Sequence, residues 1–130
     1  MLLVKTYLDK SSIHGFGLFA DEDIPVGTTV WKMSDLDMVL EKEQFELLPE
    51  TAKNHIRKYG DWDIQMQKIT MSFDNDRFIN HSFNPNLTYK KDQTTYANIP
   101  IKKGQEITIN YYEFDESASE KLKNGINTGY

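Results

Sequence analysis

Short apolar segments separated by turn residues run through most of this chain, and one stretch departs from that rhythm. Leu2 to Tyr7 reads as a strand, Lys10 to Ser12 as a turn and Leu18 to Ala20 as a second short strand. Ile24-Pro25-Val26-Gly27 then turns the chain into a strand over Thr28 to Met33. From Val39 to Leu48 the composition becomes rich in Glu and Leu, with Leu40, Phe45 and Leu48 at helical spacing and Pro49 as a stop. Thr51 is a candidate cap for a second helix that carries Ala52, Ile56 and Tyr59 on one face and ends at Gly60. Strands return at Ile64 to Phe73, Leu87 to Lys91, Thr95 to Ala97 and Ile107 to Tyr111. Glu116 to Tyr130 is polar and weakly patterned, which predicts a short surface helix or partial disorder.

A weak internal repeat adds to this picture. Ala20-Asp-Glu-Asp-Ile24-Pro-Val-Gly27 aligns without gaps on Ala97-Asn-Ile-Pro-Ile101-Lys-Lys-Gly104, and Val30 then falls on Ile107. Each copy reads as strand, glycine turn, strand. Two such units around a helical insert predict a mostly β domain with two similar lobes.

Composition narrows the function classes. The 130 residues suit one domain, and 38% hydrophobic with 27% charged residues is ordinary for a globular protein. A net charge of -5 disfavours a general grip on nucleic acid and suits basic partners. The absence of cysteine removes disulfides, thiolate catalysis and cysteine-ligated zinc. MLLVKTYLDK is too short an apolar run for a signal peptide or a membrane span, so an intracellular, soluble protein, cytoplasmic or nuclear or nucleoid-associated, is expected.

Several motifs fail on context. Gly15-Phe16-Gly17-Leu18-Phe19-Ala20 fits a dinucleotide fingerprint with Asp35 as ribose partner, but Asp21, Asp23, Pro25 and Gly27 leave no room for the helix it requires. A tight turn, or close approach of the backbone to some other group, remains. Asp74-Asn75-Asp76 starts like a calcium loop, yet Ile79 stands where that loop needs glycine. His14, His55 and His81 lack metal-ligand spacing, and Ser82 points away from His81 in a strand. The two sequons at Asn80 and Asn86 have no secretory context. Tyr111-Tyr112, following an alternating strand, reads alone as two packing tyrosines.

What local propensity does not explain is RFINHSFNPN (Arg77 to Asn86), where an amide and an imidazole end an apolar run. Taken in order, G-F-G-L-F-A, I-P-V-G, a helical insert, R-F-I-N-H-S-F-N-P-N and G-Q-E-I-T-I-N-Y resemble the SET-domain family of S-adenosylmethionine-dependent protein lysine methyltransferases, in its short, cysteine-free, viral or bacterial-type form. The resemblance covers Ser11 to Tyr111, apart from the insert over Asp35 to Trp62. It implies a SET-domain-like β-clip fold of small sheets with a C-terminal pseudoknot, spanning residues 1–115, a helical insert at about 35–62 and a tail over 116–130. By the same resemblance Asn80 holds the amino-acid end of S-adenosylmethionine, the backbone of His81 meets the adenine and its ring ties the crossing together. His14, Gly15, Phe16 and Gly17 supply backbone contacts to the cofactor, and Arg77 braces the knot. Tyr111 is the catalytic tyrosine at the cofactor, while Tyr96, Ile107, Ile109, Tyr112 and Phe114 are candidates for the substrate channel. The implied substrate is a lysine of a protein or peptide, with a basic, histone-like tail suiting the negative charge.

Departures from the family pattern concern substrate binding. Many relatives place Cys after Asn-His-Ser as one ligand of a zinc ion; here it is Phe83, and the C-terminal cysteines are missing too. No metal is therefore expected. Tyr112, Phe114 and Tyr130 are expected to close the channel instead, with Phe83 packed on Phe114, and truncation after Tyr112 is expected to leave a folded core. Pairing into a homodimer is one way for so short a chain to complete a cleft. Ile109 stands where the family often has Tyr or Phe, which implies addition of more than one methyl group. The alternative is a degenerate SET-fold module that binds a peptide or partner without catalysis; intact Tyr111, Asn80 and Gly15-x-Gly17 argue against it. A structural β protein with no ligand requires every motif to be coincidence.

Overall fold

The weak repeat is realised as a nearly two-fold arrangement of main chain at the centre of the protein. In this computed structural model, which describes residues 1–123, Ile24 and Ile101 exchange both backbone hydrogen bonds, at 2.7 and 2.9 Å. Around that pair the contacts repeat with the copies exchanged: Gly27 N–H donates to Ala97 O at 2.7 Å, and Gly104 N–H to Ala20 O at 2.8 Å. Ala97 N–H donates to Thr28 O as Ala20 N–H does to Gln105 O, each at 2.9 Å. Gly27 and Gly104 have φ of +85° and +90°, a region costly for residues with a Cβ, so glycine suits both turns. Ala20, Ala97, Val30 and Ile107 are fully buried. Equivalent positions of the two copies thus form one core.

Four small sheets surround this centre. Strands β1 (Thr6–Lys10) and β2 (Phe16–Ala20) form an antiparallel pair in which Tyr7 stacks on Phe19. β3 (Thr29–Lys32) pairs with β9 (Thr94–Ala97), which pairs with β8 (Leu87–Lys90). The insert contributes β4 (Met38–Leu40), β5 (Asp61–Asp63) and β6 (Lys68–Met71), with β6 central. The fourth sheet decides the site: β7 (Asn80–His81) runs parallel to β10 (Thr108–Ile109), with Asn80 opposite Thr108 and His81 opposite Ile109. This is the expected pseudoknot-like crossing. Asn86 fastens it by imitating a neighbouring strand, its Nδ2 donating to Glu106 O and its Oδ1 accepting from Thr108 N–H, both at 2.8 Å.

The insert differs from its periodicity. Val39 and Leu40 belong to β4, and the first helix is only α1 (Lys42–Glu46), begun by a reciprocal Glu41–Gln44 capping box. Helix α2 (Glu50–Tyr59) starts after Pro49 rather than Thr51, because proline suits the first turn, where N–H groups lack partners. Phe45, Ile56 and Ile69 bury a small core between these helices and β6. The segment Ile64 to Phe73 is not one strand: Asp63 Oδ1 accepts from the N–H groups of Gln65 and Met66, and Gln67 takes φ +53°. Asp63 breaks the strand. Leu2 to Tyr7 is also shifted, since only Thr6 and Tyr7 of that stretch lie in β1, while Leu2 bridges to Trp31. Asp74 accepts from Asp76 N–H and starts a 3₁₀ turn over Asn75–Phe78.

The described part of the tail packs one face against the domain. A 3₁₀ turn over Tyr111–Glu113 leads to α3 (Ala118–Lys123), where Ala118 is fully buried and Lys121 is 4% exposed. Phe114 packs against the central core. The expected short helix is present, and its Ala118 and Lys121 face the domain while Ser119, Glu120 and Lys123 are exposed. Residues 124–130, including Tyr130 and its expected part in closing the channel, lie outside the described residues. Among the described residues no helix is long and apolar enough to cross a membrane.

Candidate active site

The turn between β1 and β2 is built around one serine and two glycines. Ser11 Oγ accepts from the N–H groups of Ile13 and His14, and Gly15 takes φ +47°. Gly17 serves a different purpose. A Cβ there would sit 2.2 Å from Glu106 Oε1 and 3.2 Å from Asn80 Nδ2, so glycine is what lets a carboxylate and an amide reach the turn.

Asn80 is fully buried, and its amide orientation is set by three acceptors. Nδ2 donates to His14 O at 3.0 Å, Phe16 O at 3.1 Å and Glu106 Oε1 at 2.9 Å. Turning the amide over would set its oxygen against three others. Asn80 Oδ1 consequently faces away and, among the described residues, has no hydrogen-bond partner, which is costly for a buried acceptor unless a ligand donates to it. His14, Gly15, Phe16, Gly17 and Asn80 are thus brought together.

His81 is joined to the same place through β7. Its Nδ1 accepts from Tyr111 N–H at 3.1 Å, and burial lowers its pKa, so the ring is neutral with its proton on Nε2. The imidazole meets Phe83 edge-on at 4.5 Å and Tyr112 at 5.8 Å, while Phe83 stacks on Tyr112. Phe114 lies elsewhere, against Tyr89 and Tyr111 at 5.5 and 6.1 Å. The expected Phe83–Phe114 contact is therefore corrected: the 3₁₀ turn sends Tyr112 outward and Phe114 inward.

Tyr111 is 2% exposed, and its hydroxyl donates to Ile79 O at 2.6 Å. Its ring lines a cavity of about 60 Å³ together with Ile79, Tyr89, Thr95, Ile109 and Phe114. Four carboxylates, Asp37, Asp61, Asp63 and Asp76, also line it. Asp76 lines this cavity, and burial pushes its pKa up to about 7 against the hydrogen bond from Ser72. Tyr89 is likewise raised by burial and by the charge of Asp63. Of the five channel candidates, Ile109 and Phe114 reach this cavity. Ile107 is fully buried in the central core, Tyr96 packs beneath Lys90 with Nζ 4.5 Å from its ring centre, and Tyr112 lies outside. Arg77 also lines the cavity and stacks on Tyr59 and Phe78.

One wall is held by an ion cluster that sequence reading missed. Lys121 Nζ lies 2.6 Å from Asp115 Oδ2 and 2.8 Å from Asp61 Oδ1, donates to Gly60 O, and stands 6.0 Å from the centre of the Tyr111 ring. Burial alone would lower the Lys121 pKa, but the two carboxylates outweigh it and keep the amine charged. One carboxylate is in excess, and burial pushes Asp61 up to about 7. Tyr89 was missed as well, although its alternation with buried Leu87 in β8 was a usable signal. Among the described residues no group of three or more His, Cys, Asp or Glu is placed to hold a metal ion.

The SET-domain profile matches residues 15–112, and the chain belongs to the SET-domain family. Among solved structures it resembles a Plasmodium falciparum protein assigned as a histone methyltransferase, with TM-score 0.60, 23% identity and coverage of 85% of this chain and 95% of that one. It also resembles a chain of the Chaetomium thermophilum Polycomb Repressive Complex 2 bound to GSK126, with TM-score 0.66 and 22% identity over 93% of this chain but only 17% of that chain. A further structure of that complex, with TM-score 0.62 and 22% identity over 94% of this chain and 17% of that one, is bound to S-adenosylmethionine. No curated protein matches the sequence. At such identities the likeness establishes the fold.

Proposed function

We propose that this chain is an S-adenosylmethionine-dependent protein lysine methyltransferase acting on a lysine of a basic, histone-like tail. The observation that carries the reading is the double attachment of Tyr111. Its backbone is bonded to His81, next to the Asn80 notch, and its ring lines the acid-walled cavity. Asn80 Oδ1, buried and lacking a donor, fits the ammonium end of the cofactor, and the His14 to Gly17 turn would hold the same end through its backbone. When bound, S-adenosylmethionine supplies an electrophilic methyl group.

The remaining work falls to this chain's own residues. Asp37, Asp61, Asp63 and Asp76 favour entry of a cation into the cavity. A lysine amine is nucleophilic only when neutral, and its ordinary pKa is about 10.4. Apolar walls at Ile109, Phe114 and Tyr89 lower that value by desolvation. Asp76 lines the same cavity with a pKa of about 7, which suits it to take up the proton released. The Tyr111 hydroxyl then orients the neutral amine, a positioning task that requires a rigid ring. That ring is braced by Phe114 and His81.

Incubation with S-adenosylmethionine and lysine-containing histone-tail peptides, followed by mass spectrometry, tests the reading. Methylated lysine is expected. Cofactor binding without transfer to any peptide or lysate protein would instead favour the non-catalytic module.

A further inference from the structure

Glu106 is an acid without a counter-ion. Among the described residues no Lys, Arg or His nitrogen lies within ion-pairing distance of its carboxylate. It is also half-buried and immobilised. Oε1 accepts from Asn80 Nδ2 at 2.9 Å and from Ser11 Oγ at 2.7 Å, and Oε2 from Ser11 Oγ at 3.0 Å. Its main chain is held by the bridge to Phe19 and by the Asn86 amide. Gly17 is kept free of a Cβ that would collide with it.

Among the described residues, an uncompensated negative charge therefore stands against the amide whose other end, Asn80 Oδ1, is buried and lacks a donor. The two features ask for the same ligand group. An acceptor without a donor calls for N–H or O–H, and an unpaired carboxylate in a partly desolvated site calls for positive charge. A primary ammonium at Oδ1 donates to the first and offsets the second through space, from the far side of the same amide; a hydroxyl satisfies only the first.

We propose that Glu106 is the counter-charge for the ammonium of the cofactor and makes the site select a cofactor with a free α-amino group. This rests on the reading of the chain as S-adenosylmethionine-dependent. Glu106 acts beside Asn80, as a specificity-determining residue, rather than on the reacting atoms. Its link to Ser11 also ties the β1–β2 turn to the β7–β10 crossing.

The test measures binding of S-adenosylmethionine, and of an analogue whose α-amino group is replaced by hydrogen, by calorimetry. The wild type is expected to bind the cofactor about 10²-fold more tightly than the analogue, the scale of a charged hydrogen bond. Glu106→Gln keeps the shape and an acceptor for Asn80 Nδ2 but removes the charge. It is expected to weaken the cofactor about 10-fold and leave the analogue unchanged, so that the ratio collapses. A scaffold role would weaken both ligands alike, and that result, or no change in either, overturns the proposal. Should Glu106→Gln not fold, Glu106→Asp withdraws the charge by one methylene and is expected to lose part of the ratio; an unchanged ratio again overturns it. A wild type that binds neither ligand sinks the methyltransferase reading and this inference with it.

Discussion

The hydroxyl of Tyr111 donates to the carbonyl of Ile79 at 2.6 Å, one residue before Asn80. This bond holds the phenol against the start of the Asn80–His81 strand while the ring faces the acidic cavity. Tyr111→Phe removes one oxygen and keeps the packing of a 2% exposed ring. Turnover is expected to fall about 10²-fold or more, because an oriented hydrogen bond to the reacting amine is lost. Cofactor affinity in calorimetry is expected to change little. Tyr112→Phe is expected to be far milder, since that side chain is 45% exposed and stacked on Phe83. Equal losses in the two variants would remove Tyr111 from the catalytic role.

The ion cluster makes the tail a structural part of the domain. Lys121→Met keeps most of the side-chain volume but strands Asp61 and Asp115 without their cation. Breaking a buried pair this way typically costs about 3 kcal/mol or more. Urea denaturation is expected to show that loss at pH 8, and a change below about 1 kcal/mol would mean the cluster opens to water. Removing everything after Tyr112 deletes Asp115, Ala118 and Lys121 together, so the truncated chain is expected to lose its cooperative transition.

The parts of this site that sequence made visible are those fixed by local order. Asn80, His81 and Tyr111 sit in contiguous motifs, and the glycines of the repeat mark turns whose positive φ disfavours a Cβ. The Lys121 cluster was hidden for the opposite reason. Asp61, Asp115 and Lys121 come from three separate segments, and each alone looks like a solvated charge. Glu106 was hidden too, since it stood as an ordinary polar residue beside Ile107 in an alternating strand. The false strand over Ile64 to Phe73 has a physical cause as well. Gln67 at φ +53° is a backbone state that non-glycine residues seldom adopt, and hydrogen bonds to the Asp63 side chain accompany it.

Asp76 gives the protein a pH-dependent liability. Its carboxyl ordinarily titrates near 3.8 and is raised to about 7 in the folded state, chiefly by burial. Between those values the native state keeps a proton that the unfolded state has lost, so its contribution to stability falls as pH rises from about 4 to about 7. Ser72 donates to it, and Asp74 and Asp61 add negative charge, while the chain's N-terminal ammonium opposes them. Asp76→Asn stays neutral and can still accept from Ser72. Thermal melts are expected to show the variant more stable than wild type at pH 8, with the gap closing by pH 4. A gap that is independent of pH would mean that Asp76 has the same pKa in the folded and unfolded chain.

If the chain transfers methyl groups as proposed, Ile109 is expected to govern how many the site adds. It is 4% exposed, lies two residues before Tyr111 and lines the same cavity. Its side chain offers no hydroxyl that could hold the amine or a water in one orientation. After a first transfer, the methylated amine is therefore free to rotate and present its lone pair again. Mass spectra from long reactions are expected to contain dimethyl or trimethyl lysine. Ile109→Tyr adds bulk and a phenol to a cavity of about 60 Å³, so it is expected to shift the product toward monomethyl lysine while the first transfer persists. A variant that keeps the wild-type product distribution would show that the number of methyl groups is set elsewhere in the cavity. A wild type that stops at one methyl group would show that the aliphatic wall at Ile109 already blocks the turned amine.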